Sequence, residues 1–248
     1  MFDSDFHTLT LSEDGSFTAY CKEYDEHYHS TKDGALKESL NKHVVPAFSL
    51  KKDKAELHIL DICFGLGFNT LATLYYHTQN TLKSKLYIYS PELDGSLVAS
   101  LKNFTYPEEF AMFRHIIEAL CEYNIYEDEN FHIELFVGDA REYITQFQNK
   151  FDIVYQDPFS PKTNPALWTL EYFRDIQKSI KPDGVLTTYS TALSTRLALD
   201  ENNFSIYFYE PKGCRSSTLA SLSELNGFKR VDMQHKISCN PDARALRD

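Results

Sequence analysis

Four acidic residues stand at or just after the ends of apolar segments, and their side chains could do chemistry. They are Asp61, Glu92, Asp139 and Asp157. Carboxylates accept hydrogen bonds from sugar hydroxyls, orient an amine and stabilise a developing positive charge. If the preceding segments are parallel strands of one sheet, all four carboxylates lie at its carboxyl edge, where open α/β folds bind ligands. Singly, each acid is better explained as a helix cap or a turn residue, but four together favour a binding site.

Asp157 has the most restricted surroundings. The segment FDIVYQ predicts a buried strand that ends just before it, and Pro158, Pro161 and Pro165 follow. Each proline fixes φ and removes a backbone donor, so we expect a rigid loop that holds the carboxylate at the sheet edge. We therefore interpret Asp157 as a candidate catalytic residue. The alternative is an ordinary strand-to-helix connection in which Asp157 hydrogen-bonds its own turn.

A glycine turn follows the strand predicted over residues 57–62. Gly65 and Gly67 let the backbone approach a ligand closely, and the helix after them offers free N–H groups at its amino end. Asp61 with these two glycines fits the acid-x-Gly-x-Gly-x-Gly turn of S-adenosylmethionine (SAM) methyltransferases, although Cys63 stands in place of the first glycine. Glu92 ends the next predicted strand, at the separation expected for a ribose-binding carboxylate.

Hydrophobic periodicity predicts the elements that position these residues. Strands and helices alternate, which predicts an α/β fold with a mostly parallel sheet and helices on both faces. The predicted strands are 57–62, 86–91, 131–137, 152–156 and 184–190. The predicted helices are 35–50, 70–79, 95–102, 141–148, 167–180 and 192–200. Two β-like runs, 204–209 and 228–233, predict a C-terminal antiparallel hairpin, and residues 7–20 predict another near the amino end.

Length and composition fit one catalytic domain with a small extension. The 248 residues, 42% hydrophobic, are enough to bury a full core. We expect a hairpin-and-helix extension over residues 1–50 and the main domain over 51–248, with an acidic insertion at about 103–130. No apolar run approaches the roughly 18 residues of a membrane span, and the acidic start is unlike a signal peptide, so we expect a cytoplasmic protein. Five cysteines without a CxxC pair argue against a metal site and for reduced thiols.

The net charge of −11 opposes binding to a polyanion, since phosphate contacts supply most non-specific affinity for nucleic acids. The charge is uneven, because seven Lys and Arg residues face five Asp and Glu residues from Tyr209 onward. We therefore expect any nucleic-acid contact near the carboxyl end, where Lys212 and Arg215 are candidates. A solvated mixed-charge surface is the alternative.

Several of these segments together resemble one family. The chain resembles the methyltransferase domain of the MnmC family, the bifunctional tRNA 5-methylaminomethyl-2-thiouridine biosynthesis proteins, and its stand-alone relatives without the flavin-dependent oxidase half. The matching segments are LSEDGSFTAY, YHSTKDGALKESL, DICFGLGFN, SPEL, VGDAREYI and DPFSPKTNPALWTLEYF with KPDGVLTTYS. They cover about Leu11 to Ser190, and GCRSSTLASL resembles the family's basic tail of small residues.

The resemblance implies a Rossmann-like class I methyltransferase fold with SAM as cofactor. It implies methyl transfer to the primary amine of 5-aminomethyl-2-thiouridine at the tRNA wobble position, with a separate oxidase or tRNA-modification enzyme upstream. Asp157 would be catalytic. The implied cofactor-binding residues are Asp61, Gly65, Gly67, Asn69, Glu92, Asp139 and Ala140. The implied substrate-binding residues are Tyr28, His29, Phe159, Pro161, Asn164, Trp168, Lys212 and Arg215. For each aromatic residue a core role, and for His29 a structural role, is the alternative.

Three other functions remain open. An aminopropyltransferase of the spermidine synthase type shares the strand-end acids and would use decarboxylated SAM to alkylate a diamine. An amino-methyltransferase acting on adenine or a protein amide has a loop similar to the DPF segment. A catalytically silent SAM-binding or tRNA-binding protein would be consistent with Cys63 in the glycine turn.

Overall fold

A nine-stranded sheet forms the centre of the molecule in the computed structural model, which describes residue 2 and residues 5–248. Its strands are β4 (Glu56–Ile62), β5 (Lys85–Glu92), β6 (Ile125–Glu127), β7 (Phe131–Val137), β8 (Phe151–Gln156), β9 (Ile180–Thr188), β10 (Ser205–Tyr209), β11 (Ser217–Ser221) and β12 (Lys229–Arg230). They lie in the order β12-β10-β11-β9-β8-β4-β5-β7-β6. The inner pairs from β7 to β9 are parallel, and both ends of the sheet are antiparallel.

Helices cover both faces of the sheet. They are α1 (Ala35–Glu38), α2 (Val45–Lys51), α3 (Phe68–Gln79), α4 (Gly95–Ser100), α5 (Arg114–Tyr123), α6 (Ala140–Ile144), α7 (Leu170–Ser179), α8 (Leu193–Glu201) and α9 (Met233–Cys239). A π-helical segment, Ser39–Val44, joins α1 to α2. Three 3-10 helices lie at Leu101–Asn103, Glu108–Phe113 and Pro165–Trp168.

Alternating side chains of the central strands enter two separate cores. Leu57 and Ile59 of β4 join the cluster that includes α3 and α5, whereas Leu60 and Ile62 join the cluster that includes α7 and α8. This alternation is the two-residue period of a strand that is buried on both faces. The predicted α/β fold is confirmed.

The sheet has a topological switch point between β4 and β8. From β4 the chain proceeds to β5 on one side, and it later returns to place β8 on the other side of β4. In open α/β sheets the crevice outside the strands' carboxyl ends at such a point is the usual ligand site. The loop that contains Asp157 follows β8 and therefore lies at this crevice.

A small antiparallel sheet precedes the main one. It contains β1 (His7–Leu11), β2 (Phe17–Cys21) and β3 (Glu26–His27), as predicted for a hairpin near the amino end. The Asp14 carboxylate in its turn accepts from the backbone N–H groups of Ser16 and Lys37, which ties the hairpin to α1. Ala19 and Ala35 belong to the same core cluster as α3.

The insertion at about 103–130, for which the sequence predicted no elements, contains a 3-10 helix, the amphipathic helix α5 and the edge strand β6. One predicted helix differs in its length. The helix predicted over 141–148 ends at Ile144, and Asn149 shortly after it has φ of +47°, a left-handed angle that asparagine tolerates.

The C-terminal hairpin was predicted with the wrong partner. Strand β10 pairs along its whole length with β11, while the run predicted over 228–233 contributes only the two residues of β12. Asp232 caps α9 by accepting from the His235 N–H, which ends β12. The sequence STLAS of β11 lacks apolar alternation because all five residues are buried between neighbours. Half of the GCRSSTLASL segment therefore forms a buried inner strand of the sheet.

Candidate active site

A cavity of about 570 Å³ lies at the carboxyl ends of β4, β5, β7 and β8. Its volume is in the range of small-molecule sites. Residues after the four strands form its floor, among them Cys63, Glu92, Gly138 and Asp157. The amino-terminal sheet and the segment after it form the opposite wall with His7, Cys21, Tyr24, Tyr28 and His29.

The turn between β4 and α3 repeatedly uses left-handed backbone. Cys63, Gly65 and Gly67 have φ values of +65°, +53° and +77°. Cys63 thus adopts the angle that a glycine would take, at a cost of about 1–2 kcal/mol for a residue with a Cβ. A Cβ on Gly65 would lie 3.0 Å from Cδ1 of Tyr28. A side chain at Gly65 would therefore have to displace the Tyr28 ring in the opposite wall of the cavity.

Glu92 is fixed by backbone donors at the end of β5. Its Oε2 accepts from the Gly65 N–H at 2.8 Å, and its Oε1 accepts from the Asp94 N–H at 2.9 Å. Burial raises the pKa of Glu92, and these N–H groups oppose that rise. Each carboxylate oxygen can accept a further hydrogen bond, so the group remains able to bind ligand hydroxyls in the cavity that it lines.

Asp139 is both a helix cap and a cavity residue. Its Oδ1 accepts from the Arg141 N–H at 2.8 Å and caps α6. Asp139 and the adjacent Ala140 line the cavity. The Gly138 N–H donates to the Glu92 carbonyl at 2.8 Å, so the two strand ends are held together.

Asp61 lies beneath the glycine turn rather than in the cavity. It is fully buried and does not line the cavity, and neither does Gly67. Its Oδ2 accepts from the Thr70 hydroxyl at 2.8 Å, which ties the end of β4 to the first turn of α3. Burial raises the pKa of Asp61 to about 7. Asp61 therefore stabilises the glycine turn from below.

Asp157 is held from two sides. Its Oδ2 accepts from Nδ2 of Asn69 at 2.8 Å, and its Oδ1 lies 3.4 Å from Nε2 of His43. Burial raises the pKa of Asp157, but His43, His29 and Asn69 outweigh burial and hold the pKa below its ordinary value. The carboxylate is therefore ionised at neutral pH.

The loop after Asp157 is anchored at several points. Nε1 of Trp168 donates to the Phe159 carbonyl at 2.8 Å, and the Tyr189 hydroxyl donates to the Pro158 carbonyl at 2.9 Å. The Ser160 N–H donates to Oε2 of Glu26 in β3 at 3.1 Å. Trp168 is fully buried and does not line the cavity, so its core role is the one observed.

An aromatic wall faces the Asp157 side of the cavity. Phe159 stacks on Tyr24 with ring centroids 4.7 Å apart and packs at 4.9 Å from Tyr28. His29 packs edge-on against Phe68, and burial lowers the pKa of the His29 ring. Asn164 also lines the cavity.

Three other residues predicted to bind substrate lie outside the cavity lining: Pro161, Lys212 and Arg215. The Lys212 carbonyl accepts from Asn41 at 3.1 Å, and the exposed Arg215 side chain lies 3.2 Å from the Asp33 carboxylate. Lys212 and Arg215 thus lie beside the first helical turns, where only a ligand larger than the cavity could contact them.

Tyr24 and His43 belong to the site although no sequence motif indicated them. Tyr24 lines the cavity only because the amino-terminal sheet folds over it, so the sequence near Tyr24 does not indicate this role. His43 falls within a predicted helix, and only its full burial beside Asp157 distinguishes it from a helix-surface histidine.

The chain is similar to known methyltransferases. A family described as S-adenosyl-L-methionine-dependent methyltransferase matches residues 108–223. The crystal structure of MnmC2 from Aquifex aeolicus superposes with a TM-score of 0.86 and 32% identity, covering 98% of this chain and 79% of that one. The chain belongs to the MnmC2 family of SAM-dependent methyltransferases.

Longer relatives are also similar. An uncharacterised protein of Methanocaldococcus jannaschii, MJ0670, is 32% identical over 225 residues, which are 86% of this chain and 59% of that protein. The bifunctional protein MnmC of Azoarcus sp. is 29% identical over 213 residues, 80% of this chain and 33% of that protein. The chain thus spans between a third and three fifths of these two relatives.

The MnmC2-type cavity fits the SAM cofactor of the family. SAM carries a sulfonium and an ammonium cation, and five carboxylates line the described cavity wall against one arginine, Arg141. Leu93, at the end of β5, lines the same cavity with 66% of its surface exposed, which suits contact with a nucleoside base. The carboxylates that line the cavity are Glu23, Glu92, Asp94, Asp139 and Asp157.

All five cysteines are free thiols. Within residue 2 and residues 5–248, no cluster of three or more His, Cys, Asp or Glu side chains is arranged to hold a metal ion. None of the helices in that part of the chain combines the length and apolar character needed to cross a bilayer.

Proposed function

We propose that the protein transfers the methyl group of SAM to the primary amine of 5-aminomethyl-2-thiouridine at the tRNA wobble position, which gives 5-methylaminomethyl-2-thiouridine. The observation that carries the proposal is the buried Asp157 carboxylate, held by Asn69 at the switch point between the strand ends and an aromatic wall. The similar MnmC proteins are named as tRNA 5-methylaminomethyl-2-thiouridine biosynthesis proteins, which supports this choice of substrate.

On the cofactor side, the chain supplies orientation. SAM supplies an electrophilic methyl group, whose transfer depends chiefly on in-line alignment. Glu92, oriented by the Gly65 and Asp94 N–H groups, would accept from the ribose hydroxyls. The turn at Gly65 would lie against the amino-acid portion, and Asp139 with Ala140 near the base.

On the acceptor side, Asp157 interacts with the amine. The nitrogen must be neutral to attack, and it becomes cationic as the new carbon–nitrogen bond forms. The Asp157 carboxylate accepts from an amine N–H, which orients the lone pair, and it then stabilises the ammonium product. Its lowered pKa keeps it ionised and able to do both at neutral pH.

The aromatic wall supplies the base contact. A uridine in a single-stranded loop leaves its stack at low cost and can stack on aromatic side chains. Phe159, flanked by Tyr24 and Tyr28, offers such a surface next to Asp157. Lys212 and Arg215 would contact tRNA phosphates outside the cavity. An upstream oxidase or tRNA-modification enzyme would supply the aminomethyl group. The reaction would take place in the cytoplasm.

The test is a methyl-transfer assay with labelled SAM. The acceptors are tRNA that carries 5-aminomethyl-2-thiouridine, adenine-containing DNA and a protein amide substrate, and putrescine is tested with decarboxylated SAM. We expect label only in the wobble nucleoside, identified by mass spectrometry of digested tRNA. Transfer to putrescine from decarboxylated SAM, or to adenine or a protein amide, would overturn the proposal. SAM binding without transfer to any acceptor would indicate a silent protein.

A further inference from the structure

His43 reaches the site through an unusual helical turn. The segment Ser39–Val44 is π-helical, and the Val45 N–H donates to the Leu40 carbonyl five residues earlier. Such wide turns are rare and are frequent at functional sites, because they change which side chains face the neighbouring elements. Here the turn places the fully buried His43 ring beside Asp157.

The two ring nitrogens of His43 have different neighbours. Nδ1 is 2.8 Å from the Thr187 hydroxyl of β9, and Nε2 is 3.4 Å from Oδ1 of Asp157. The Thr187 hydroxyl can donate to Nδ1, which leaves the ring proton on Nε2, directed at the carboxylate. The opposite tautomer would direct a lone pair at a negative charge. The contacts therefore favour a ring that donates towards Asp157.

Packing fixes the ring in this orientation. The ring lies edge-on to Tyr155 of β8, with centroids 5.7 Å apart. Nε2 is fully buried and makes no hydrogen bond within the described residues, and the Asp157 carboxylate lies 3.4 Å from it. An unsatisfied buried donor costs about 1–3 kcal/mol. A histidine kept only for packing would not need this donor, whereas one that holds Asp157 does.

The separation of 3.4 Å fits a contact that shortens during binding. Catalytic hydrogen bonds are often long before the substrate binds. Asn69 already holds Oδ2 of Asp157 at 2.8 Å, so His43 provides the second restraint, on Oδ1. The carboxylate would then be unable to rotate when the amine arrives.

We propose that His43 is a positioning residue that orients the Asp157 carboxylate for the acceptor amine. This inference rests on the proposed function, in which Asp157 contacts the amine. Other titratable groups also face Asp157 or His43 and contribute to the field there. They are His29 before α1, Asp61 of β4, Cys63 of the glycine turn, Tyr155 of β8 and Tyr189 after β9.

Two amide substitutions separate positioning from packing. In His43→Gln the amide nitrogen can reach the place of Nε2, so a donor towards Asp157 is kept. In His43→Asn the amide reaches only the place of Nδ1, so contact with Thr187 is kept and contact with Asp157 is lost. His77→Asn is the matched control, because His77 is also buried and hydrogen-bonds the Ser84 carbonyl away from the cavity.

The first readout needs no acceptor. The Asp157 carboxyl is titrated by carbon NMR in protein with labelled aspartate, and Asp157→Asn assigns its signal. We expect His43→Asn to raise the pKa of Asp157 by about one unit, and His43→Gln and His77→Asn to leave it near the wild-type value. An unchanged Asp157 titration in His43→Asn would overturn the inference.

The second readout is kinetic. We expect His43→Asn to lower kcat about tenfold, to leave the Kd for SAM unchanged, and to move the acidic limb of the kcat profile to higher pH. Equal losses in His43→Asn and His43→Gln, without a shifted limb, would indicate packing alone and overturn the inference. If His43→Asn does not fold, Thr187→Val replaces it. An Asp157 pKa and a kcat equal to those of the wild type in Thr187→Val would also overturn the inference. If the wild-type protein methylates no tRNA, the proposed function fails, while the NMR titration still decides the role of His43.

Discussion

The Asn69 side chain donates to Oδ2 of Asp157 at 2.8 Å, across 88 residues of sequence. Asn69 lies in the first turn of α3, directly after the glycine turn, and Asp157 follows β8. The helix that begins at the cofactor side of the cavity thus also holds the candidate catalytic acid. Under the proposed function, this one amide would couple the position of the cofactor to the position of the acceptor amine.

Asn69→Ala tests this coupling. Loss of the amide removes one restraint and one source of the lowered pKa of Asp157, so we expect kcat to fall about tenfold, a typical size for one hydrogen bond to a charged group. The Kd for SAM, measured by calorimetry, should change less than kcat. If the Kd for SAM rises strongly while kcat at saturating SAM is kept, Asn69 acts as a cofactor ligand, the role that the family resemblance implies.

Asp157→Asn should separate chemistry from cofactor binding. The amide keeps the shape of the side chain but removes the charge that stabilises the ammonium product, so we expect kcat to fall about 100-fold or more. The Kd for SAM should stay near the wild-type value. Glu92→Ala is the control with the opposite pattern, because it removes the acceptor fixed by Gly65 and should mainly weaken SAM binding. A variant Asp157→Asn that only unfolds more readily, with normal kcat, would support the turn-capping interpretation instead.

Asp61→Asn should change how stability depends on pH. Burial raises the pKa of Asp61 from 3.8 to about 7, so between these values the folded protein holds a proton that the unfolded chain has released. The contribution of Asp61 to stability is therefore complete below about pH 4 and is lost as the pH rises towards 7. An asparagine has no such loss. We expect the unfolding free energy of the variant, relative to wild type, to rise over this range by at most about 4 kcal/mol.

Denaturant titrations at several pH values measure this difference. Asp175→Asn is a suitable control, because Asp175 is a partly exposed partner of Lys178 in α7. A difference between Asp61→Asn and wild type that does not change with pH would show that Asp61 is ionised in the folded protein.

Gly65→Ala should weaken cofactor binding. The residue has φ of +53°, and the new Cβ would lie 3.0 Å from the Tyr28 ring in the cavity wall. We expect a loss of about 1–2 kcal/mol of stability from the backbone angle and a higher Kd for SAM from the displaced turn. Gly227→Ala is the control, since Gly227 has φ of +85° and no heavy atom within 4 Å of an added Cβ. Equal SAM affinities in the two variants would show that the turn does not contact SAM.

The sequence by itself determined the sheet and the place of the cavity. Apolar periodicity and turn residues are local properties, so they predicted β4, β5, β7, β8 and β9 within a few residues and located the strand-end acids. Parallel strands bring their carboxyl ends to one edge, which is why Glu92, Asp139 and Asp157 were expected at one cavity and lie there. The left-handed Cys63 occupies the position that the glycine pattern indicates.

Only the tertiary structure decided which side chains face the ligand. Asp61 and Trp168 belong to the predicted motifs, yet packing from other segments buries both outside the cavity. His43 and Tyr24 carry no local signal, because their roles depend on a π-helical turn and on an amino-terminal sheet that folds over distant strand ends. Periodicity records whether a residue is buried, whereas the identity of its neighbours depends on contacts between segments far apart in the chain.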